Sequence, residues 1–274
     1  MYISITGVDI DNDDKVTFII TRFGGSMIQL MTVDSAGEIN YLSNQIVIPI
    51  LGITFNKALR TSNGEVVAVG KTTHYNWDYL RFVSTACFFR FSATGDTLYT
   101  AYWPNDLGNP LISSAAYDLA LMDNGNVLVT CSLSPVINSI LEVNPAGSIV
   151  NRYNIPGQDQ FGGFPISRES NSQSYMIAYS MGEAPNDNIY VDRFENGGFE
   201  QLFSIPRSTM SSPFSLIPAV DCVYLCGYGS TSTYGTLLSL SYEGNIQWTR
   251  NQEGHNLCLY MNEGFGSLST SLLG

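Results

Sequence analysis

The chain has 274 residues, of which 44% are hydrophobic and only 13% charged, so it carries enough apolar material for a large core. This composition excludes an intrinsically disordered chain. A formal net charge of -12 at pH 7 opposes binding to nucleic acid and to anionic lipid surfaces. No run approaches the roughly 18 apolar residues of a membrane-spanning helix, and the acidic start MYISITGVDIDNDD differs from a secretory signal. We therefore expect no nucleic-acid partner, no membrane insertion and no Sec signal.

Five hairpin-like segments follow one another along the chain, each an apolar strand, a turn centred on glycine and a second alternating strand. They are TVDSAGEINYL, RFSATGDTLYT, EVNPAGSIVNRY, RFENGGFEQLF and SLSYEGNIQWT. The turn glycines, which recur about every 50 residues, are Gly37, Gly95, Gly147, Gly198 and Gly244. We predict that these glycines occupy equivalent turns with a positive backbone φ between the last two strands of each module.

A further pair of strands precedes each hairpin, at the runs KVTFII, GEVVAVG, GNVLVT, SYMIAYS and CVYLCGY. Each module therefore consists of four strands joined by a turn, a loop and a second turn. In four modules the last strand ends in an apolar residue and a proline, at Ile48-Pro49, Trp103-Pro104, Ile155-Pro156 and Ile205-Pro206. Because proline lacks an amide donor, its recurrence marks the same strand end in each module.

Four strands in each repeat of about 50 residues, with period-two alternation and no helical period, predict a single all-β domain over residues 1–274. We predict a β-propeller of four-stranded antiparallel blades. Five blades correspond to modules at about 1–50, 51–110, 111–160, 161–210 and 211–252. The segment 253–274 resembles half a module, so six blades with an incomplete last blade remain the alternative.

The phrase NGEVVAVG, followed by a strand and FSATGDTLYT, resembles the short propeller repeats of the delta-60 and pyrroloquinoline-quinone-like classes. This resemblance covers most of modules two, three and five, and modules one and four more loosely. It implies the propeller fold alone, because the ligand sets of the quinone enzymes have no matching constellation in this sequence. We therefore expect no cofactor.

The five cysteines are scattered and odd in number, which indicates buried free thiols, and they are Cys87, Cys131, Cys222, Cys226 and Cys258. Cys222 and Cys226 share one face of a strand, but no second pair of ligands completes a zinc site. The acidic run at residues 9–14 lacks the glycine and the closing acid of a calcium loop. We expect no metal site.

The segment Lys71–Ala86, KTTHYNWDYLRFVSTA, is predicted as the loop between the second and third strands of module two, and it is longer than its counterparts. It concentrates aromatic and polar side chains typical of recognition surfaces, namely His74, Tyr75, Trp77, Asp78, Tyr79 and Arg81. We predict that a partner contacts this loop and not a deep polar pocket on the ring axis. Simple cover for a blade edge is the alternative interpretation.

Loops between modules on the same predicted face carry a second group of candidates, Trp103, Asn105, Asp106, Asp159 and Phe161. Such residues would bind a sugar by aromatic stacking and carboxylate hydrogen bonds. Ordinary solvated turns explain the same residues equally well.

Signatures of catalysis are missing: the sequence has no nucleophile elbow, no phosphate loop and only two histidines, His74 and His255. We assign no catalytic residue and favour a non-enzymatic structural or interaction propeller. The expected role is a virion (bacteriophage) accessory, tail or surface protein that contacts other protein subunits of an assembly or mediates host attachment. The alternative function is a secreted or surface propeller that binds or cleaves glycans. We expect the protein in the virion, with an extracellular location reached by a non-Sec route, or a cytoplasmic one, as alternatives. A host surface glycan is a further candidate partner.

Overall fold

The protein is described from a computed structural model that covers residues 3–10, 15–22, 27–47, 52–76, 78, 80–104, 109, 112–134, 137–156, 164–169, 172–181, 187–229 and 234–253. Within these ranges every regular element is a β-strand, and strands account for more than half of the chain. None of the described segments is a helix that could cross a membrane. The prediction of an all-β chain is confirmed.

The strands form five antiparallel sheets in which consecutive strands pair, and these sheets are the blades of a β-propeller. Three sheets lie in a first compact unit, residues 1–154, and two in a second unit, residues 155–274. The first sheet has one short extra strand, β5, which pairs with β3. The predicted half module at 253–274 falls almost wholly outside the described residues.

In the first unit, the first sheet contains β1 (Ile3–Ile10), β2 (Val16–Arg22), β3 (Met27–Val33), β4 (Ile39–Leu42) and β5 (Ile46–Val47). The second sheet contains β6 (Ile53–Arg60), β7 (Val66–Asn76), β8 (Arg81–Phe91) and β9 (Thr97–Trp103). The third sheet contains β10 (Ala115–Leu121), β11 (Val127–Ser134), β12 (Ile137–Val143) and β13 (Ile149–Asn154).

In the second unit, the fourth sheet contains β14 (Ile166–Arg168), β15 (Tyr175–Met181), β16 (Asn188–Glu195) and β17 (Gly198–Pro206). The fifth sheet contains β18 (Ser212–Pro218), β19 (Val223–Tyr228), β20 (Tyr234–Leu240) and β21 (Ile246–Glu253).

Burial divides the strands of a blade by their order in the sheet. The second strand is buried on both faces, as in β7 from Val66 to Gly70 and in β15 from Tyr175 to Ser180. The fourth strand is largely exposed, as in β4 and β13. Strands buried on both faces read as continuous apolar runs, which explains why the runs VVAVG and YMIAYS lack alternation.

Apolar side chains from adjacent sheets make the cores of each unit. In the first unit, one cluster packs Ile19 and Leu30 of the first sheet against Phe55 and Phe89 of the second. In the second unit, Met176 and Val191 pack with Leu216 and other residues of the fifth sheet. These clusters hold each blade against its neighbour within the unit.

Four of the five predicted turn glycines have a positive φ, between +78° and +84°, at Gly37, Gly95, Gly147 and Gly244. Gly198 does not, and the prediction for it is wrong by one residue. In the fourth sheet, Asn196 (φ +51°) and Gly197 (φ +82°) form a two-residue turn, and Gly198 begins β17 opposite Glu195. The sequence Asn-Gly suits this tighter turn because both of its central residues require a positive φ.

Four cysteines lie in the described residues, and all four are buried free thiols, as predicted. Burial raises the pKa of the Cys87 thiol to about 12, so this thiol stays protonated near neutral pH. Cys258 lies outside the described residues.

Candidate interaction site

The segment predicted as a long loop is mostly a β-hairpin. Strands β7 and β8 pair continuously from Val66 and Phe91 to Asn76 and Arg81, which leaves residues 77–80 as the connection. Facing side chains interact across this extension, where the hydroxyls of Thr73 and Ser84 lie 3.0 Å apart. The prediction of a loop over 71–86 is therefore wrong, although the segment remains a distinctive insertion.

The end of this hairpin extends past the rest of the second sheet. Strand β6 pairs with β7 no further than Thr72, and β9 pairs with β8 no further than Ala86. Residues 73–76 and 81–85 thus form a two-stranded projection, which we name, together with the connection between its strands, the β7–β8 ribbon. An isolated pair of strands is only marginally stable in water, so a projecting ribbon needs contacts at its base or a partner.

Hydrogen bonds from neighbouring loops hold the base of the ribbon. The amide of Thr73 donates to the carbonyl of Gly52 at 2.8 Å. On the other edge, the amide of Ser84 donates to the hydroxyl of Ser113 at 3.0 Å, and the amide of Ser114 donates to the carbonyl of Ser84 at 2.9 Å. These bonds fix the direction in which the ribbon leaves the blade.

Large apolar side chains are exposed on the ribbon beyond this base. Leu80 is 72% exposed and Phe82 is 67% exposed. The ring of Phe82 packs edge-to-face on Tyr75, with centroids 5.1 Å apart, so the aromatic pair is preorganised. Exposed apolar groups clustered on a projecting element are typical of a protein contact surface.

Leu80 also has a strained backbone. Its φ is +52°, in the left-handed region, which costs an L-residue with a bulky side chain about 1 kcal/mol. The preceding turn is closed by the Asp78 amide, which donates to the Asn76 side-chain oxygen at 3.1 Å. Glycine or asparagine would fit position 80 with less strain, so folding stability does not explain an exposed leucine there.

The ribbon region also carries cations that have no carboxylate partner among the described residues, namely Lys71 at its base and Arg81 at its tip. Most cations elsewhere in the described ranges are bonded internally. Seven bind carboxylates, hydroxyls or carbonyls, and Arg250 stacks on Trp248: the seven are Lys57, Arg60, Arg90, Arg152, Arg168, Arg193 and Arg207. Within the described part of the chain no carboxylate neutralises Arg81, so its charge can face a partner.

The structure brings together four of the residues that sequence analysis proposed for this site. His74, Asp78 and Arg81 are exposed on the ribbon, and Tyr75 is half-buried beside Phe82. The remaining proposed residues lie outside the described residues, and they are Trp77, Tyr79, Asn105, Asp106, Asp159 and Phe161. Their part in the site stays a prediction.

Trp103 does not lie on a surface loop, so the prediction for this residue is wrong. It is the last residue of β9, only 6% exposed, and its ring packs against Phe88 with centroids 6.0 Å apart. Its carbonyl accepts a 2.7 Å hydrogen bond from the Ser114 hydroxyl, which ties this strand end to the loop beside the ribbon. The indole therefore belongs to the core, and little of its surface is left for stacking on a sugar.

Sequence analysis missed Leu80 and Phe82, because it weighed aromatic and polar residues in what it took to be a loop. Two signals in the sequence point to them. Phe82 alternates with buried Val83 in the extension of β8, and an apolar residue at the end of the four-residue connection is unusual where turns favour Gly or Asn.

Away from the ribbon, the third sheet holds a buried carboxylate, Glu142, in a polar cluster. The Asn126 and Asn151 side-chain amides donate to its two oxygens at 2.6 and 2.7 Å. These bonds, that from Asn151 above all, lower the pKa of Glu142 in spite of its burial. Donors from its own blade occupy both oxygens of the carboxylate, so we assign Glu142 a structural role.

Among the described residues, no cluster of His, Cys, Asp or Glu could hold a metal ion.

Comparisons with known proteins gave matches in structure only. No protein-family model matches the sequence, and no curated protein matches it. A protein of unknown function from Bacteroides caccae aligns with TM-score 0.56 and 13% identity, covering 90% of this chain and 81% of that one. A Synechocystis apocarotenoid oxygenase mutant aligns with TM-score 0.57 and 11% identity, covering 93% of this chain and 62% of that one.

A third similar structure is from a study of prolyl endopeptidases, with TM-score 0.51 and 13% identity, covering 90% of this chain and 35% of that one. The chain therefore spans less than two thirds of the length of the oxygenase and of the endopeptidase. At these identities the likeness establishes the fold alone. The described part of the chain forms a β-propeller with five blades, each built on four consecutive antiparallel strands.

Proposed function

We propose that this protein is a non-enzymatic interaction propeller that contacts other protein subunits through the β7–β8 ribbon. One observation carries the proposal: the ribbon projects past its blade and exposes Leu80 and Phe82 beside Arg81, which has no carboxylate partner among the described residues. Central apolar or aromatic anchors flanked by arginine are the usual composition of binding hot spots. Burying an exposed leucine or phenylalanine contributes about 1.5–3 kcal/mol each, enough for these two side chains to dominate a modest interface.

Two titratable groups with displaced pKa values, Cys87 and Glu142, have structural roles, which favours a non-enzymatic protein. Active sites concentrate perturbed groups in an accessible cleft. Here the Cys87 thiol is buried in the core and the Glu142 carboxylate is occupied by amide donors. Cys87 packs in the core between the first and second sheets, and Glu142 accepts hydrogen bonds within the third sheet.

We further propose that the assembly is a virus particle, in which the protein is an accessory, tail or surface component of a bacteriophage or mediates host attachment. The supporting feature is composition: 16 tyrosines against only 12 lysines and arginines suit a surface that recognises partners with little loss of side-chain entropy. The repeated glycine hairpins support a relationship with the delta-60 type of propeller repeat. The buried indole of Trp103 weakens the alternative of a glycan-binding face.

Particle composition tests this proposal directly. Particles carrying the wild-type chain or the double variant Leu80→Ser, Phe82→Ser are purified on a density gradient, and copies per particle are measured by quantitative mass spectrometry. We expect a fixed ratio to the other subunits for the wild type and a loss of about 10-fold or more for the variant. Val220→Ser, at a residue 84% exposed and far along the chain from the ribbon, is the matched control.

Two outcomes would overturn the proposal. One is a wild-type chain found without fixed stoichiometry, as expected of a free lectin or enzyme. The other is a double variant that enters particles as well as the control does. The melting temperature of each isolated chain is measured in parallel, so that a failure to fold is not mistaken for a loss of contact.

A further inference from the structure

We infer that the partner of the β7–β8 ribbon is a second copy of this chain, and that copies associate head to tail. In this arrangement, the ribbon of one molecule binds the acidic hairpin turns of the first unit of the next. The inference rests on the proposed function of the ribbon and adds to it the identity of the partner.

The ribbon and these turns lie at opposite ends of the blades. In a sheet whose consecutive strands pair, the β7–β8 connection is at one end, and the β6–β7 and β8–β9 turns are at the other. The β3–β4 and β8–β9 turns are neighbours, because the Tyr41 hydroxyl donates to the Thr94 carbonyl at 2.5 Å. The first unit therefore has one end with the ribbon and one end with these turns.

The turn end is acidic. Glu38 and Asp96 are exposed there, and Asp34 is half-exposed beside them. The amides of Ala36 and Glu38 donate to Asp34 at 3.0 and 2.9 Å, and the backbone hydrogen bond from Glu38 is the main cause of the lowered pKa of Asp34. Within the described part of the chain, no lysine or arginine pairs with Glu38 or Asp96. This end thus presents carboxylates that are open to a cation from outside.

Exposed apolar side chains accompany these acids. Ile39 is 60% exposed directly after Glu38, and Leu98 and Tyr99 are 41% and 50% exposed shortly after Asp96. The turn end therefore combines apolar groups with carboxylates, while the ribbon combines Leu80 and Phe82 with Arg81. The two surfaces complement each other in charge and in hydrophobic character.

The net charge of the chain favours a contact in which a cation of one molecule meets carboxylates of the next. Two molecules with a formal net charge of -12 repel each other at long range. Self-association then requires a place where cations meet the acidic surface, and unpaired cations of the described residues lie at the ribbon. Because the ribbon and the turn end are different surfaces, the contact is heterologous and builds rings or rows instead of a closed two-fold dimer.

Reciprocal charge reversal tests this inference. Arg81→Glu removes the ribbon cation, and Glu38→Lys with Asp96→Lys reverses the turn end; each variant alone is measured by sedimentation velocity over a concentration range of about 100-fold. We expect concentration-dependent association of the wild type and a loss of at least about 10-fold in affinity for each variant. Mixing the two variants should restore association, because the ribbon of the Arg81→Glu chain carries a carboxylate that then faces lysines.

Arg250→Glu is the matched control, since it makes the same charge change on an exposed strand and should associate as the wild type does. Three results would overturn the inference: a wild type that stays monomeric throughout, an Arg81→Glu chain that associates normally, or a mixture that does not associate. If Arg81→Glu fails to fold, Arg81→Asp takes its place in the same series, because it also puts a carboxylate on the ribbon.

The outcomes also separate this inference from the proposed function. A monomeric wild type, together with ribbon variants that still lose particle incorporation, would make the partner a different protein and leave the proposed function intact. Wild-type particle incorporation by the Leu80→Ser, Phe82→Ser variant would overturn the proposed function itself.

Discussion

The hydroxyl of Tyr179 donates a 2.7 Å hydrogen bond to one carboxylate oxygen of Asp192. Tyr179 lies on the second strand of the fourth sheet and Asp192 on the third, and both side chains are buried. The other oxygen, Oδ1, has no hydrogen-bond partner among the described residues. Burial raises the pKa of Asp192, and it does so more than the hydrogen bond from Tyr179 lowers it. This blade therefore holds an acid whose charged form is unfavourable in the folded state.

Asp192→Asn should stabilise the protein at pH 7 by about 1 kcal/mol, because the neutral amide keeps an acceptor for Tyr179 without burying a charge. A carboxyl group whose folded pKa is raised contributes stability that is present at low pH and is lost as the pH rises through that pKa. The advantage of the variant should therefore shrink towards pH 4. Chemical denaturation at several pH values measures it, and a variant less stable than the wild type at pH 7 would contradict the assignment.

Glu142→Gln should have the opposite effect on the free energy of unfolding and destabilise the protein at pH 7 by about 1–2 kcal/mol. The reason is that Asn126 and Asn151 both donate to this carboxylate, and a glutamine amide would place its own donor against one of theirs. Since the pKa of Glu142 is lowered, its contribution is lost as the pH falls through the folded pKa. The same denaturation series should show the difference between wild type and variant vanishing in acid.

Gly70→Ala should destabilise the protein by about 3 kcal/mol or more, or prevent folding, because of close backbone contact. A Cβ at this position would lie 2.0 Å from the carbonyl oxygen of Thr54, beside the bulge at Phe55 and Lys57 in β6. Gly198→Ala is the control, since its Cβ would meet nothing closer than 3.6 Å. Equal melting temperatures for the two variants would show that the bulge yields to the methyl group.

Leu80→Asn should leave the stability unchanged or raise it by up to about 1 kcal/mol, because asparagine tolerates a left-handed backbone better than leucine does. The chain provides the reverse comparison at Asn196, which has nearly the same φ, +51° against +52°. Asn196→Leu should lose about 1 kcal/mol. If Leu80→Asn is instead destabilising, Leu80 serves folding and its value to a partner surface is in doubt.

The sequence was sufficient to predict the blades, because four strands, a glycine turn and a closing proline recur in register. It was sufficient for Gly37, Gly95, Gly147 and Gly244, where one glycine marks each turn. It failed at Gly198 because the run ENGG offers two glycines, and only strand pairing decides which one turns.

The candidate site was predicted in position but not in form. An insertion in the second module is visible from its length, yet its polar and aromatic mixture reads equally well as a loop or as a ribbon. Backbone pairing such as that of Tyr75 with Phe82 shows that the strands continue. The prediction for Trp103 failed for a related reason. A tryptophan before proline marks a strand end, but the local sequence does not show whether its side chain faces the core or the solvent. That depends on tertiary contacts such as the one with Phe88.

Hydrogen exchange of the ribbon amides tests the central claim most directly. Exchange at residues 73–85 is measured by mass spectrometry in the isolated chain and in the chain within its native assembly, with the core strand β15 as internal reference. A docked ribbon should exchange at least about 10-fold more slowly in the assembly, because its projecting strands are then shielded from solvent and cannot open freely. Equal exchange of residues 73–85 in the two states, with other surfaces protected instead, would show that the ribbon is not the interaction surface.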